Sequence, residues 1–218
     1  MKKLSASLMC ADLLNLEASV KELQSAGIDY LHIDIMDGDF VPNITMGFDT
    51  VNSIRKITDL PLDIHMMVRE PNRFIDCMEL SEQDILCVHY EADTHIHRTL
   101  EQIRKKGVKA GLAINPSTPV DSIKYLTDYI DMLLVMTVSP GFAGQKLFSA
   151  AERKTRDARE MLDSMGLNIP IEVDGNISLV NGEKLSVCGA EIFVLGTSSL
   201  FVRDKSLAEA ARDFRSVI

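Results

Sequence analysis

No C-x-x-C pair, no run of 18 or more apolar residues and no excess of basic charge occurs in this chain. Each absence removes a class of function. Cys10, Cys77, Cys87 and Cys188 are scattered through apolar stretches, as expected for buried free thiols in a reducing compartment rather than a disulfide framework. Without a long apolar run there is no candidate membrane span. Lys2 and Lys3 before LSASLMC imitate a lipoprotein signal, but the apolar stretch falls short of the roughly 7–15 residues of a signal core, and Asp12 follows at once. The protein is therefore expected in the cytoplasm. A net charge of −9, from 23 Lys and Arg against 32 Asp and Glu, disfavours non-specific binding to nucleic acid or to an anionic membrane. An anionic substrate would need a locally positive pocket made by backbone amides or a metal. Neither G-x-G-x-x-G nor G-x-x-x-x-G-K-[ST] occurs, so nucleotide binding has no motif to rest on.

What is present is regular. Hydrophobic residues at 46% and charged residues at 25% are ordinary for a globular protein, and 218 residues suffice for a substantial core. Short strand-like runs at 4–8, 30–35, 61–67, 85–89, 108–114, 131–137, 169–174 and 191–195 alternate with eight amphipathic, helix-like stretches. The helical stretches lie near 13–26, 48–57, 71–79, 93–106, 119–127, 150–165, 179–187 and 204–217. Strict alternation at this count predicts a parallel sheet covered by helices, closed into a (β/α)8 TIM barrel. An open doubly wound sheet is the second choice. No linker or composition break divides the chain, so one barrel domain over 1–218 is expected.

In such a barrel the catalytic face lies at the C-terminal ends of the strands. His32 and Asp34 are two apart and share a side of the second strand; His65 and Met67 share a side of the third; Asp174 closes the seventh. A lone histidine in an apolar strand is usually a hydrogen-bonded core residue. Two imidazoles and two carboxylates converging from three strands make a site for one divalent metal ion, with Zn, Fe, Mn and Co all compatible. The loops are glycine-rich where phosphate is commonly held in these barrels: Gly141, Phe142, Ala143 and Gly144 after the sixth strand, Gly175 and Asn176 after the seventh, Gly196, Thr197 and Ser198 after the eighth. Met36, Met67 and Met136, also at strand ends, could line a planar intermediate with polarizable sulfur. Ser7 could hydrogen-bond a substrate hydroxyl, His89 ends the fourth strand, and His95 and His97 begin a helix as exposed residues. Asn115 in NPSTP reads as a turn residue.

Metal, two carboxylates and a phosphate pocket suit proton transfer next to the carbonyl of a sugar phosphate. Asp34 and Asp174 on opposite faces of the substrate would remove a proton from one side and deliver one to the other, which is epimerisation. Hydrolysis would leave the second aspartate without a task.

SLMCAD around Ser7, HIDIMDGDFVPN (32–43), IHMMV (64–68), NPSTP (115–119), MTVSPGFAGQ (136–145) and EVDGN (172–176) resemble the ribulose-phosphate 3-epimerase family over essentially the whole chain. The resemblance implies a divalent metal on His32, Asp34, His65 and Asp174, with Asp34 and Asp174 as the acid–base pair. It also implies Met36, Met67 and Met136 around the enediolate, and a homo-oligomer, dimer or hexamer. Family members that act on ribulose phosphate read S-I-L-[SA]-A-D, P-G-F-G-G-Q and D-G-G where this chain has SLMCAD, PGFAGQ and DGN, and a G-S pair where it has GTSSLF. The combination of SLMC, PGFAGQ and GTSxLF resembles a D-allulose-6-phosphate 3-epimerase branch, so conversion of D-allulose 6-phosphate to D-fructose 6-phosphate is expected. D-ribulose 5-phosphate to D-xylulose 5-phosphate is the alternative, and a non-catalytic sugar-phosphate binder a remote one. The related decarboxylases carry D-x-K-x-x-D at the third strand; here LDIHMM has no lysine.

Overall fold

The computed structural model describes residues 2–218. Eight parallel strands, β1 (Lys3–Ser7), β2 (Tyr30–Met36), β3 (Leu62–Met67), β4 (Ile85–His89), β5 (Lys109–Ile114), β6 (Met132–Met136), β7 (Ile171–Asp174) and β8 (Ile192–Leu195), pair in chain order and close through β8 on β1. The expected (β/α)8 barrel is what forms.

Six α-helices cover it: α1 (Leu16–Ser25), α2 (Phe48–Arg55), α3 (Ile96–Lys105), α4 (Ala151–Ser164), α5 (Leu179–Val187) and α6 (Leu207–Val217). The helices expected near 71–79 and 119–127 are instead pairs of 3-10 turns, Pro71–Arg73 with Ile75–Cys77, and Val120–Ile123 with Thr127–Tyr129. Composition explains both. Pro, Asn, Asp, Ser and Thr crowd these segments, and each is a weaker helix former than Ala, Leu or Glu. Glu70, at φ 48°, also turns the chain left-handed just before Pro71. Cys77 ends one of these surface turns and is exposed, and Cys10 is half-buried, so only Cys87 and Cys188 are buried; all four thiols are free.

The alternation of strand side chains creates two apolar regions and one polar layer. Outward residues such as Leu31, Ile33, Ile64, Leu86, Leu112 and Leu133 pack under the helices in the main core. Inward, Ile85, Cys87, Ala113, Met132, Leu134 and Ile192 fill the lower barrel. Above them, inward residues turn polar: Ser5, Ser7, His32, Asp34, Asp63, His65, His89 and Glu172 are all buried. Burying ionisable groups this deeply is costly unless each has a partner. The register supplies one such partner, because Asp34 stands beside His65 on β2 and β3, and it sets Met136 beside Asp174 on β6 and β7.

Candidate active site

His32, Asp34, His65 and Asp174 meet at the C-terminal mouth, with one ligand-type atom of each within 4.8 Å of all the others. His32 Nε2 and His65 Nδ1 each lie 3.2 Å from Asp34 Oδ1, and His65 Nδ1 lies 3.9 Å from Asp174 Oδ2. Metal–ligand bonds of about 2.0–2.1 Å in a tetrahedron set neighbouring donor atoms about 3.4 Å apart. Two imidazole nitrogens and two carboxylate oxygens at these separations therefore fit a first-row divalent ion in both chemistry and spacing.

Electrostatics separates the two aspartates. Burial works to raise both. At Asp34 it is outweighed by His32 and His65, which hold the carboxyl well below the usual carboxylate range. At Asp174 burial, with Asp34 adding to it against His32 and His65, pushes the carboxyl up to about 6. His32 is held well above its ordinary value because Asp63 and Asp34 overcome the effect of burial. These carboxylates demand a positive charge among them, as proton or as metal ion.

Around this cluster lie groups not singled out from the sequence. Asp63 accepts from His32 Nδ1 at 2.6 Å and from Ser5 Oγ at 2.8 Å. Glu172 lies beside it, its carboxyl raised well above the ordinary value by burial and by Asp63. Among the described residues, Asp63 Oδ1 and both Glu172 oxygens lack a hydrogen-bond partner. His89, which ends β4, is fully buried with its Nε2 2.8 Å from His65 Nε2. Burial holds its imidazole down at about 4. The missed signal was the strand period: Asp63 and Glu172 precede His65 and Asp174 by two and must share their inward face. His95 and His97 are exposed, as expected, and Asn115 accepts in a turn from Thr118 N.

A cleft of about 600 Å³, open to solvent, rises above the cluster. Ser7, Asp34, Met36, Met67, Met136, Gly141, Phe142, Ala143, Gly144, Asp174, Gly175, Asn176, Gly196, Thr197 and Ser198 all line it, joined by Met9 and Cys10. His32 and His65 lie beneath, absent from the lining. Ser7 Oγ donates to Asp34 Oδ2 at 3.1 Å. No Lys or Arg lines the cleft among the described residues. Backbone amides stand in their place: those of Gly175, Asn176 and Ser198 find no acceptor within the protein among the described residues.

Gly175 is required where it stands, at φ 117° with its would-be Cβ 2.4 Å from Val138 Cγ2. Asn176 follows at φ 53°, a left-handed conformation that asparagine tolerates better than most residues. Its side chain donates to Gln145 O, joining the β7 loop to the β6 loop. Ala143 has no positive φ.

Fold and site together define a (β/α)8 barrel with a metal-competent His/Asp cluster under a cleft suited to a phosphorylated substrate. A sequence model of the ribulose-phosphate 3 epimerase family matches residues 3–201. The chain is 41% identical over 209 residues to ribulose-phosphate 3-epimerase of Bacillus subtilis, covering 95% of this chain and 96% of that one. It is 40% identical over 214 residues to the chloroplastic ribulose-5-phosphate-3-epimerase of Arabidopsis thaliana, covering 97% and 75% respectively. A mutant tryptophan synthase α-subunit from Pyrococcus furiosus superposes over the whole of both chains with TM-score 0.72 at 14% identity, a likeness of fold alone. The chain belongs to the ribulose-phosphate 3-epimerase family and is an epimerase, of the isomerase class. No helix among the described residues is long and apolar enough to cross a membrane.

Proposed function

We propose that this protein inverts C3 of D-ribulose 5-phosphate to give D-xylulose 5-phosphate. The observation that carries the reaction is the pairing of two carboxylates from strands on different sides of the barrel. Asp34 on β2 and Asp174 on β7 each turn one oxygen to the His32–His65 cluster. Asp34 Oδ2 and Asp174 Oδ1 are left for protons. One carboxylate removes the C3 proton, the enediolate lies across Met36, Met67 and Met136, and the other carboxylic acid protonates the opposite face. Ser7 orients the Asp34 carboxylate through its hydrogen bond. A divalent cation held by His32, Asp34, His65 and Asp174 would acidify the C–H bond by stabilising the negative charge that develops on the substrate oxygens. The amides of Gly175, Asn176 and Ser198 would hold the phosphate as neutral donors, in keeping with a cleft that lacks basic side chains.

The relatives are named for ribulose phosphate, which favours the five-carbon substrate over the allulose 6-phosphate expected from the motif variants. Comparing kcat/KM on the two ketose phosphates, with divalent metal supplied, tests the reading. A tenfold preference for D-ribulose 5-phosphate, about 1.4 kcal/mol in the transition state, is expected. A preference for D-allulose 6-phosphate would restore the six-carbon substrate, and turnover of neither would leave a binding protein.

A further inference from the structure

The two imidazoles of the cluster are backed differently. His32 leans directly on a carboxylate, Asp63. His65 leans on a second histidine, and that histidine on Glu91. His65 Nδ1 faces Asp34 and Asp174, so its Nε2 is the atom 2.8 Å from His89 Nε2. Two ring nitrogens at that distance share one hydrogen. The other nitrogen of His89, Nδ1, lies 3.3 Å from Glu91 Oε2. A carboxylate only accepts, which places a hydrogen on His89 Nδ1. The neutral ring then has a bare Nε2, and the shared hydrogen belongs to His65 Nε2. His65 is thereby left with its lone pair on Nδ1, aimed at the metal position.

Packing holds this line in place. His89 is sandwiched at 4.9 Å from the His65 ring centroid and 4.8 Å from that of Phe40. Glu91 Oε1 accepts from Asn115 N at 2.9 Å and from Thr118 Oγ1, and Lys154 on α4 donates to Asn115 O. The line thus runs from the cluster through the end of β4 to the loop after β5.

We propose that His89 and Glu91 are positioning residues that fix His65 in the Nε2–H tautomer and so set the affinity of the site for its metal. This rests on the metal reading given above. It adds a support on β4 that neither donates a ligand nor touches the cleft. Partners of this kind are worth about 10–100-fold in metal affinity.

The test is Zn2+ affinity, measured by competition with a chromophoric chelator, for wild type, His89→Leu and His89→Gln, together with long-range 1H–15N spectra of the Zn2+-loaded wild type. Expected are a loss of about 10–100-fold for His89→Leu and recovery of most of it in His89→Gln, whose Oε1 can accept the same N–H. The wild-type spectrum, which needs no variant to fold, should show His65 protonated on Nε2 and ligated through Nδ1. Wild-type affinity in His89→Leu, or ligation through His65 Nε2, would overturn the proposal while leaving the metal reading intact. Failure of the wild type to bind Zn2+ would overturn both.

Discussion

Along β2, β3 and β7 the site is made of ionisable side chains rooted in buried strands, at and beneath the floor of the cleft, whereas past the ends of β6, β7 and β8 it is made of backbone. The first half places His32, Asp34 and His65 at no more than 4% exposure and relies on strand register to set their spacing. The second half relies on φ angles: Gly141 at 116°, Gly144 at 79°, Gly175 at 117° and Asn176 at 53°. The division matches the chemistry proposed for each half. Proton transfer needs groups with distinct proton affinities, which only side chains provide. Anchoring a phosphate needs convergent N–H donors, which loops provide without adding a charge. The two halves should therefore fail differently when altered.

The largest effect is expected in the side-chain half. Asp34→Asn and Asp174→Asn should each lower kcat by about 10³-fold or more, with circular dichroism unchanged. Near wild-type turnover in either would break the pairing of the two carboxylates. Next comes acid sensitivity in the metal-free protein. His89 is held down to about 4 by burial, so as pH falls from 6.5 towards 4 the unfolded chain takes up the proton and the folded one does not. Stability present above pH 6.5 is lost across that window, by on the order of 3 kcal/mol. Urea titrations should show the wild type losing that much more than His89→Gln; equal slopes would remove the buried neutral imidazole from the picture.

The backbone half should respond through KM and folding. Gly175→Ala forces a Cβ into Val138 and a side chain into positive φ, costing about 1–3 kcal/mol of stability and raising KM more than it lowers kcat. A selective fall in kcat would instead make Gly175 part of the proton machinery. The smallest effect is expected for Ser198→Ala, which keeps the amide and removes only a hydroxyl. Its KM should stay within about threefold, roughly 0.7 kcal/mol, and a tenfold rise would shift the phosphate contact from backbone to side chain.

The same division governs what could be read before the structure was known. Strand periodicity placed all eight strands to within two residues at either end, because inward–outward alternation is strong in a closed parallel barrel. It brought the four candidate metal ligands, His32, Asp34, His65 and Asp174, to one mouth. It equally required Asp63 and Glu172 to face inward, but their role depends on contacts across β1, β2, β3 and β7 that no local pattern reports. His89 was visible as a strand-end histidine, yet its pairing with His65 is a tertiary fact. Helical spacing of apolar residues persists at 71–79 and 119–127, but their Pro, Asn, Ser and Thr content favours the turns that form there. The six-carbon expectation rested on short loop motifs alone, and the names of the relatives favour the five-carbon substrate proposed above.

The most direct measurement of the two-base mechanism is epimerisation of D-ribulose 5-phosphate in D2O, followed at early times by NMR of C3. With Asp34 and Asp174 working from opposite faces, deuterium should appear at C3 of the product while recovered substrate stays protonated. Deuterium entering recovered substrate as fast as product, or a product that retains the original proton at C3, would contradict it.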